Sequence, residues 1–163
     1  MTLRKDKGWV AKQLLKNKIR TPITMEFSPN NSIDTNLNKI SKTFKSFPIV
    51  LKPYEGLGSK GVQIINNKID LKKALHECVY FQKIHPSMGS KFLVQEYISG
   101  EEGFVNFYSF NGKHLVTDAW MYNKRLVNGH SLDFECVLTM KMSPALNNAI
   151  SYCKKVLDAI GYK

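Results

Sequence analysis

Arginine is scarce in this chain: Arg4, Arg20 and Arg125 stand among 24 basic residues. The bidentate groups that read base edges in duplex DNA are therefore few. Cysteine is scarce as well. Cys78, Cys136 and Cys153 are odd in number, widely spaced and form no CxxC pair, which argues for reduced thiols in a cytoplasmic protein rather than a disulfide framework. The four histidines, His76, His85, His114 and His130, form no i,i+4 pair and no HExxH, so a zinc site is not expected. No apolar run approaches the ~20 residues a membrane helix needs. The opening MTLRKDKGWVAKQLL lacks the uninterrupted apolar segment of a secretory signal. Internal repeats and low-complexity linkers are absent, and Ser59 lacks the GxSxG setting of a nucleophile.

What is present is a globular composition. The 163 residues are 43% hydrophobic and 23% charged, which excludes disorder and fits one domain or two small lobes sharing a core. The formal net charge is +11, compatible with nucleic acid, an acidic membrane surface or a small polyanion such as a nucleoside triphosphate. The lysines are scattered (Lys5, Lys7, Lys12, Lys16, Lys18, then Lys39, Lys42 and Lys45) without a block of five or six. That pattern reads as a solvated basic surface, and neither nucleic acid nor a membrane is the expected partner.

Hydrophobic spacing gives an α+β order. DKGWVAKQLLKNK reads as a helix capped by Asp6, with Val10, Leu14 and Leu15 as its stripe. Residues 28–38 read as a polar, turn-rich connection. FPIVLKP reads as a strand buried on both faces, VQII as another strand, and Asn66-Asn67 as a turn. Residues 70–84 read as a helix with Asp70 as N-cap and Leu71, Ala74, Leu75, Cys78 and Val79 as its stripe. KFLVQEYI, FVNFYSF, HLVTDAWMY and DFECVLT read as strands, the later ones joined at Asn111-Gly112 and Asn128-Gly129. A closing helix starts at Ser143-Pro144, carries Leu146, Ala149, Ile150, Cys153, Leu157 and Ile160, and stops at Gly161. The aromatics Phe104, Phe107, Tyr108 and Phe110 read as strand core rather than a base-stacking platform.

The most informative stretch is Gly56-Leu57-Gly58-Ser59-Lys60-Gly61, a literal GxGxxG. A dinucleotide fingerprint needs a helix after the loop. Here Val62-Gln63-Ile64-Ile65 alternates as a strand and stops at Asn66. A Walker loop fails for want of GK[ST] at the required spacing. What remains is a strand–glycine hairpin–strand flap whose backbone N–H groups can approach phosphate oxygens. Lys52 lies four residues before Gly56, at the end of the apolar strand. An ammonium there points into a site, unless it is a snorkelling surface lysine beside an ordinary hairpin.

FPIVLKPYEGLGSKGVQII resembles the signature of the ATP-grasp superfamily. FLVQEYISGEEGFVNFYSFNGK resembles its second signature, where a strand runs through a hinge into the central sheet, and RKDKGWVAKQLLKNKIRTP resembles the helix before both. TDAWMYNKRLVNG and the helix ending KVLDAIGYK look most like the L-amino-acid ligase and dapdiamide-synthetase type. The resemblance implies a partial ATP-grasp fold, with residues 1–94 as the small subdomain and 95–163 as the first part of the large one. It implies ATP and Mg2+ as cofactors and small carboxylate and amine substrates, and leaves a homodimer open for the full-length protein. Lys7 and Lys52 would neutralise the α- and β-phosphates. Gly58, Ser59, Lys60 and Gly61 would form the flap. Glu96 would face the adenine amino group, Tyr97 and Ile98 would offer backbone groups to the ring, and Glu102 would lie near the ribose or triphosphate. Each role has a physical basis: cations for a polyanion, a carboxylate for an exocyclic amine, strand-end backbone for a purine edge. Lys124 and Arg125 either contact a carboxylate or phosphate or face water.

The resemblance also has departures. Gly103 stands where the family commonly has an aromatic, and Asn106 where it commonly has an acid. The family's magnesium ligands, an acidic residue and a Glu-x-Asn on neighbouring strands, come after the helix that stops at Gly161. The chain is therefore expected to be an internal piece of an ATP-dependent carboxylate–amine ligase, inactive by itself. The competing expectations are a non-catalytic nucleotide-binding module of the same fold and a basic nucleic-acid-binding domain.

Overall fold

The computed structural model describes residues 6–55, 61–86, 90–127 and 131–162. The chain divides into two compact units. The first holds the residues up to Ala11, Pro22–Ile98 and Val127–Leu132; the second holds Lys12–Thr21, Ser99–Leu126 and the residues from Asp133 onward.

In the first unit an antiparallel four-stranded sheet has the order β1-β4-β2-β3, from β1 (Thr24–Phe27), β2 (Ile49–Pro53), β3 (Gln63–Ile65) and β4 (Phe92–Glu96). Helices α2 (Ile33–Thr43) and α3 (Lys68–Ile84) pack on each other, and their apolar faces close over Ile49, Leu51, Ile65, Phe92 and Val94. Phe92 is the aromatic centre, stacked on Phe27 at 5.6 Å between ring centroids and meeting Phe81 edge-on at 5.9 Å. β2 alternates: Ile49, Leu51 and Pro53 are buried, while Val50 and Lys52 are half-buried. The two-sided burial expected of β2 is instead found in β4, where Phe92, Leu93 and Val94 are all buried.

Three helix details differ from the sequence expectations. α1 (Lys7–Lys16) buries Gly8, Ala11 and Leu14, whereas Leu15 is 61% exposed; the inward stripe runs through small residues that carry little hydrophobic signal. The polar stretch 28–38 contains the start of α2. Ser32 caps it by accepting from Thr35 N, and Ile33, Leu37, Ile40 and Phe44 recur at i, i+4, i+7 and i+11. Asn36 interrupts that polar reading from within, because it is buried with its Nδ2 donating to Ser28 O at 2.9 Å. Asn67, not Asp70, caps α3, its Oδ1 accepting from Ile69 N and Asp70 N at 2.9 Å each. Asp70 lies in the first turn, where a carboxylate complements the helix dipole.

In the second unit β5 (Gly103–Phe110), β6 (Lys113–Val127) and β7 (Ser131–Thr139) form an ordered sheet β5-β6-β7. Asn111 and Gly112 turn the first hairpin with φ of 49° and 73°, the positive-φ pair that Asn-Gly supplies at a two-residue turn. Asn128-Gly129, the other expected hairpin, lies outside the described residues. α4 (Pro144–Ala159) packs on β5, capped by Ser143. His114 ties the hairpin to α4: Ser109 Oγ meets its Nδ1 at 2.7 Å and Asp158 Oδ1 meets its Nε2 at 3.2 Å.

Leu51 is fully buried in the first unit and Ile69 is 71% exposed on α3. Leu51→Ala is expected to lower the unfolding free energy by about 2–5 kcal/mol. Ile69→Ala is expected to stay within about 0.5 kcal/mol of the parent. Urea unfolding monitored by far-UV circular dichroism measures both.

Candidate functional site

Strand alternation decides what β2 shows away from the helices. With Ile49 and Leu51 in the core, Val50 and Lys52 project from the opposite face. Across the β2–β4 pairing Val50 is opposite Gln95 and Lys52 is opposite Leu93, so Gln95 and Lys52 share a face as diagonal neighbours. Lys52 Nζ donates to Gln95 Oε1 at 2.6 Å, and Gln95 Nε2 donates to Thr24 Oγ1 at 2.8 Å. Thr24 Oγ1 in turn donates to Pro22 O at 2.9 Å.

Glu96 follows at the exposed end of β4. Its Oε2 accepts from Ile23 N at 3.2 Å and its own N–H donates to Ile23 O at 2.9 Å. Tyr97 and Ile98 continue beyond the strand, 37% and 63% exposed. Thus Gln95, which sequence reasoning passed over, accompanies Lys52, while Glu96 meets the backbone entering β1. The signal that finds Gln95 is the parity of β4 relative to β2, which requires the pairing register.

Lys7 reaches the Pro53 end of β2 from α1, the end away from Glu96, which pairs with Ile49. Asp6 Oδ1 accepts from Trp9 N at 2.6 Å, an N-terminal cap, and also accepts from the Tyr54 hydroxyl. Lys7 Nζ donates to Tyr54 O at 3.4 Å. Burial lowers the Lys7 pKa, with Glu55 opposing that shift. The Tyr54 phenol is pushed up, first by burial, then by its bond to Asp6 and the nearby Glu26 carboxylate. Lys91 Nζ lies 5.7 Å from the Tyr54 ring centroid. Gly8 allows this closeness: a Cβ there would lie 2.5 Å from the Tyr54 ring and 2.7 Å from Glu26 Oε1.

Of the glycine flap, Gly58, Ser59 and Lys60 lie outside the described residues. Gly61 has φ +73°, and a Cβ would sit 2.8 Å from Pro53 Cγ, so conformation and packing against the end of β2 both require glycine.

Glu102 belongs to the second unit, exposed, its carbonyl accepting from Tyr122 N at 2.8 Å. Both departures from the family pattern have local causes here. Gly103 faces Met121 across the hairpin, and a Cβ would come within 2.5 Å of Trp120 O. Asn106 faces Asp118, beside an irregularity in the ladder, and Asn106 Nδ2 donates to Asp118 Oδ1 at 2.6 Å. Trp120 Nε1 donates to the same oxygen, and Thr117 Oγ1 donates to Oδ2 at 3.0 Å. The Asn106 bond, with those from Trp120 and Thr117, holds the Asp118 carboxyl below its ordinary range. The side chains of Lys124 and Arg125 lie outside the described residues. Among the described residues no three His, Cys, Asp or Glu side chains gather as a metal site, and no helix is long and apolar enough to cross a membrane.

The raised Tyr54 pKa fixes a sign. The folded state holds the phenolic proton more tightly than the unfolded state, so this contribution to stability is present at neutral pH and lost as pH rises past the ordinary tyrosine value of about 10. Burial also raises Tyr152, so absorbance at 295 nm should show late-titrating phenols of which Tyr54→Phe removes one, and the variant should lose stability less steeply in alkali. Asn106→Asp would set two carboxylates opposite each other in the hairpin. It is expected to lower the melting temperature at pH 7 and to regain part of the loss at pH 4; an unchanged melting temperature at pH 7 contradicts the pairing argument.

Comparison with known proteins agrees with this architecture. The ATP-grasp domain family matches residues 45–162. Dapdiamide A synthase of Enterobacter agglomerans is 30% identical over 115 residues, covering 71% of this chain and 27% of that protein. D-alanine–D-alanine ligase of Bacillus anthracis is 27% identical over 161 residues, covering 94% of this chain and 49% of the ligase. The crystal structure of L-amino acid ligase from Bacillus licheniformis superposes with a TM-score of 0.74 at 17% identity, covering 98% of this chain and 37% of that one. The chain thus spans between about a quarter and a half of the length of these curated relatives. The β-α order, the strand β2 with Lys52 near its end and the antiparallel β5–β6 hairpin of the second unit are those of a partial ATP-grasp fold, and this chain belongs to the ATP-grasp family.

Proposed function

We propose that the chain is the nucleotide-binding part of an ATP-dependent carboxylate–amine ligase. The observation that carries this reading is Lys52, set on the face of β2 away from the core and four residues before Gly56, with Lys7 bonded to Tyr54 O just after the same strand. A triphosphate concentrates negative charge along a short chain of oxygens. Two ammonium groups and close backbone N–H groups meet that charge. In this reading Glu96, Tyr97 and Ile98, at the exposed end of β4, would offer a purine edge a carboxylate and strand-end backbone, and Glu102 would serve the ribose or triphosphate.

The relatives named dapdiamide A synthase, D-alanine–D-alanine ligase and L-amino acid ligase support amino-acid or peptide substrates. The reaction proposed is formation of an acyl phosphate. A carboxylate oxygen attacks the γ-phosphorus, ADP departs with the electron pair, and an amine then displaces phosphate at the acyl carbon. Magnesium would supply charge neutralisation at the β- and γ-oxygens. Among the described residues no ligands gather for it.

Isothermal titration with MgATP tests the nucleotide assignment. A charge-assisted contact is worth about 1.5–3 kcal/mol, so Lys52→Ala should weaken binding about ten- to hundredfold. Lys42→Ala, an exposed lysine in the last turn of α2, should change affinity less than about twofold. Equal losses in the two variants would remove Lys52 from the site.

A further inference from the structure

We infer that Gln95 is the positioning residue for Lys52. This rests on the nucleotide reading above and adds the group that aims its central cation. A lysine ammonium is a point charge on a flexible four-carbon stem, so its place depends on what it is tied to. Lys52 is tied to the middle of the sheet. Gln95 sits on β4 with Val50 opposite on one side and Thr24 opposite on the other. Its backbone is thus fixed from both flanks.

Its amide is fixed as well. Thr24 Oγ1 spends its proton on Pro22 O and so acts as an acceptor toward Gln95. Gln95 must therefore turn Nε2 toward Thr24 and Oε1 toward Lys52. The flipped amide would set N–H donors against an ammonium that only donates. Every bond in the series Lys52, Gln95, Thr24, Pro22 consequently runs in one direction, and the series ends on a backbone carbonyl. Being uncharged, Gln95 orients the ammonium without itself adding negative charge. Glu96, one residue on, takes no part in this series and bonds Ile23.

Two readouts test the inference on the same protein. In 1H–15N spectra of lysine side chains, an ammonium whose exchange is slowed by a fixed hydrogen bond gives a cross-peak. The Lys52 cross-peak is identified by its loss in Lys52→Ala. Gln95→Leu should abolish it and weaken MgATP binding about tenfold, as expected for losing orientation of one charge-assisted contact. Gln95→Glu, which keeps an acceptor for the ammonium, should retain the cross-peak and bind within about threefold of the parent. Thr24→Val, a strand-compatible change, should give an intermediate loss and serves if Gln95→Leu fails to fold. Retention of both cross-peak and affinity in Gln95→Leu overturns the inference, as do equal losses in the Leu and Glu variants with parallel drops in melting temperature. If the parent chain binds no nucleotide, the nucleotide reading falls, and the cross-peak still decides whether Gln95 holds Lys52.

Discussion

The antiparallel register between β2 and β4 is the constraint on which the rest of the first unit depends. Leu51 lies opposite Val94 and Val50 opposite Gln95. That choice sends Ile49, Leu51, Phe92 and Val94 into the core under α2 and α3 and sends Lys52 and Gln95 the other way. Side chains in a strand have a period of two, so a slip by one residue would exchange the faces, burying an ammonium and exposing fully buried aliphatics. The energetic penalty for that exchange is large, because an unpaired buried charge is among the costliest groups a core can contain. The hydrophobic core therefore sets the aim of the polar face, and the polar face needs no separate device to choose its side.

The N-terminus of α1 uses a different principle. Here the fully buried residues at the helix start are the small Gly8 and Ala11, with Trp9 and Val10 half-buried, and a polar arrangement fixes the end. Asp6 caps the helix and at the same time accepts from Tyr54, and Lys7 bonds the carbonyl of Tyr54. One residue at the end of β2 thus contacts both the cap and the cation of α1. Because the cap is a carboxylate, its bond to the phenol is charge-assisted and stronger than a neutral one.

Much of this was legible in the residues, and each miss has its own physical cause. Apart from β1 and α2, the order of elements followed from periodicity, the cap at Ser143-Pro144 from side-chain chemistry, and the family resemblance from the strand carrying Lys52 and the glycine loop. α2 was hidden because its N-terminal half is polar and one of its inward positions is Asn36, a residue whose burial is made tolerable only by a bond to Ser28 O that no local pattern announces. Leu15 looked like core by spacing, yet the helix turns Gly8, Ala11 and Leu14 inward. Gln95 escaped notice for a third reason. Its significance depends on which residue of β2 lies across from it, and pairing register is a property of two segments about forty residues apart rather than of either alone.

The hairpin of the second unit carries a consequence for how such a sequence can drift. Asn106 and Asp118 sit face to face, one supplying the N–H and the other the carboxylate. An acid at the first position and an amide at the second would satisfy the same pair with the roles exchanged, whereas two acids would have no donor between them. The two roles can therefore be exchanged by way of an amide–amide pair, and the acid–acid combination is the one this hairpin excludes.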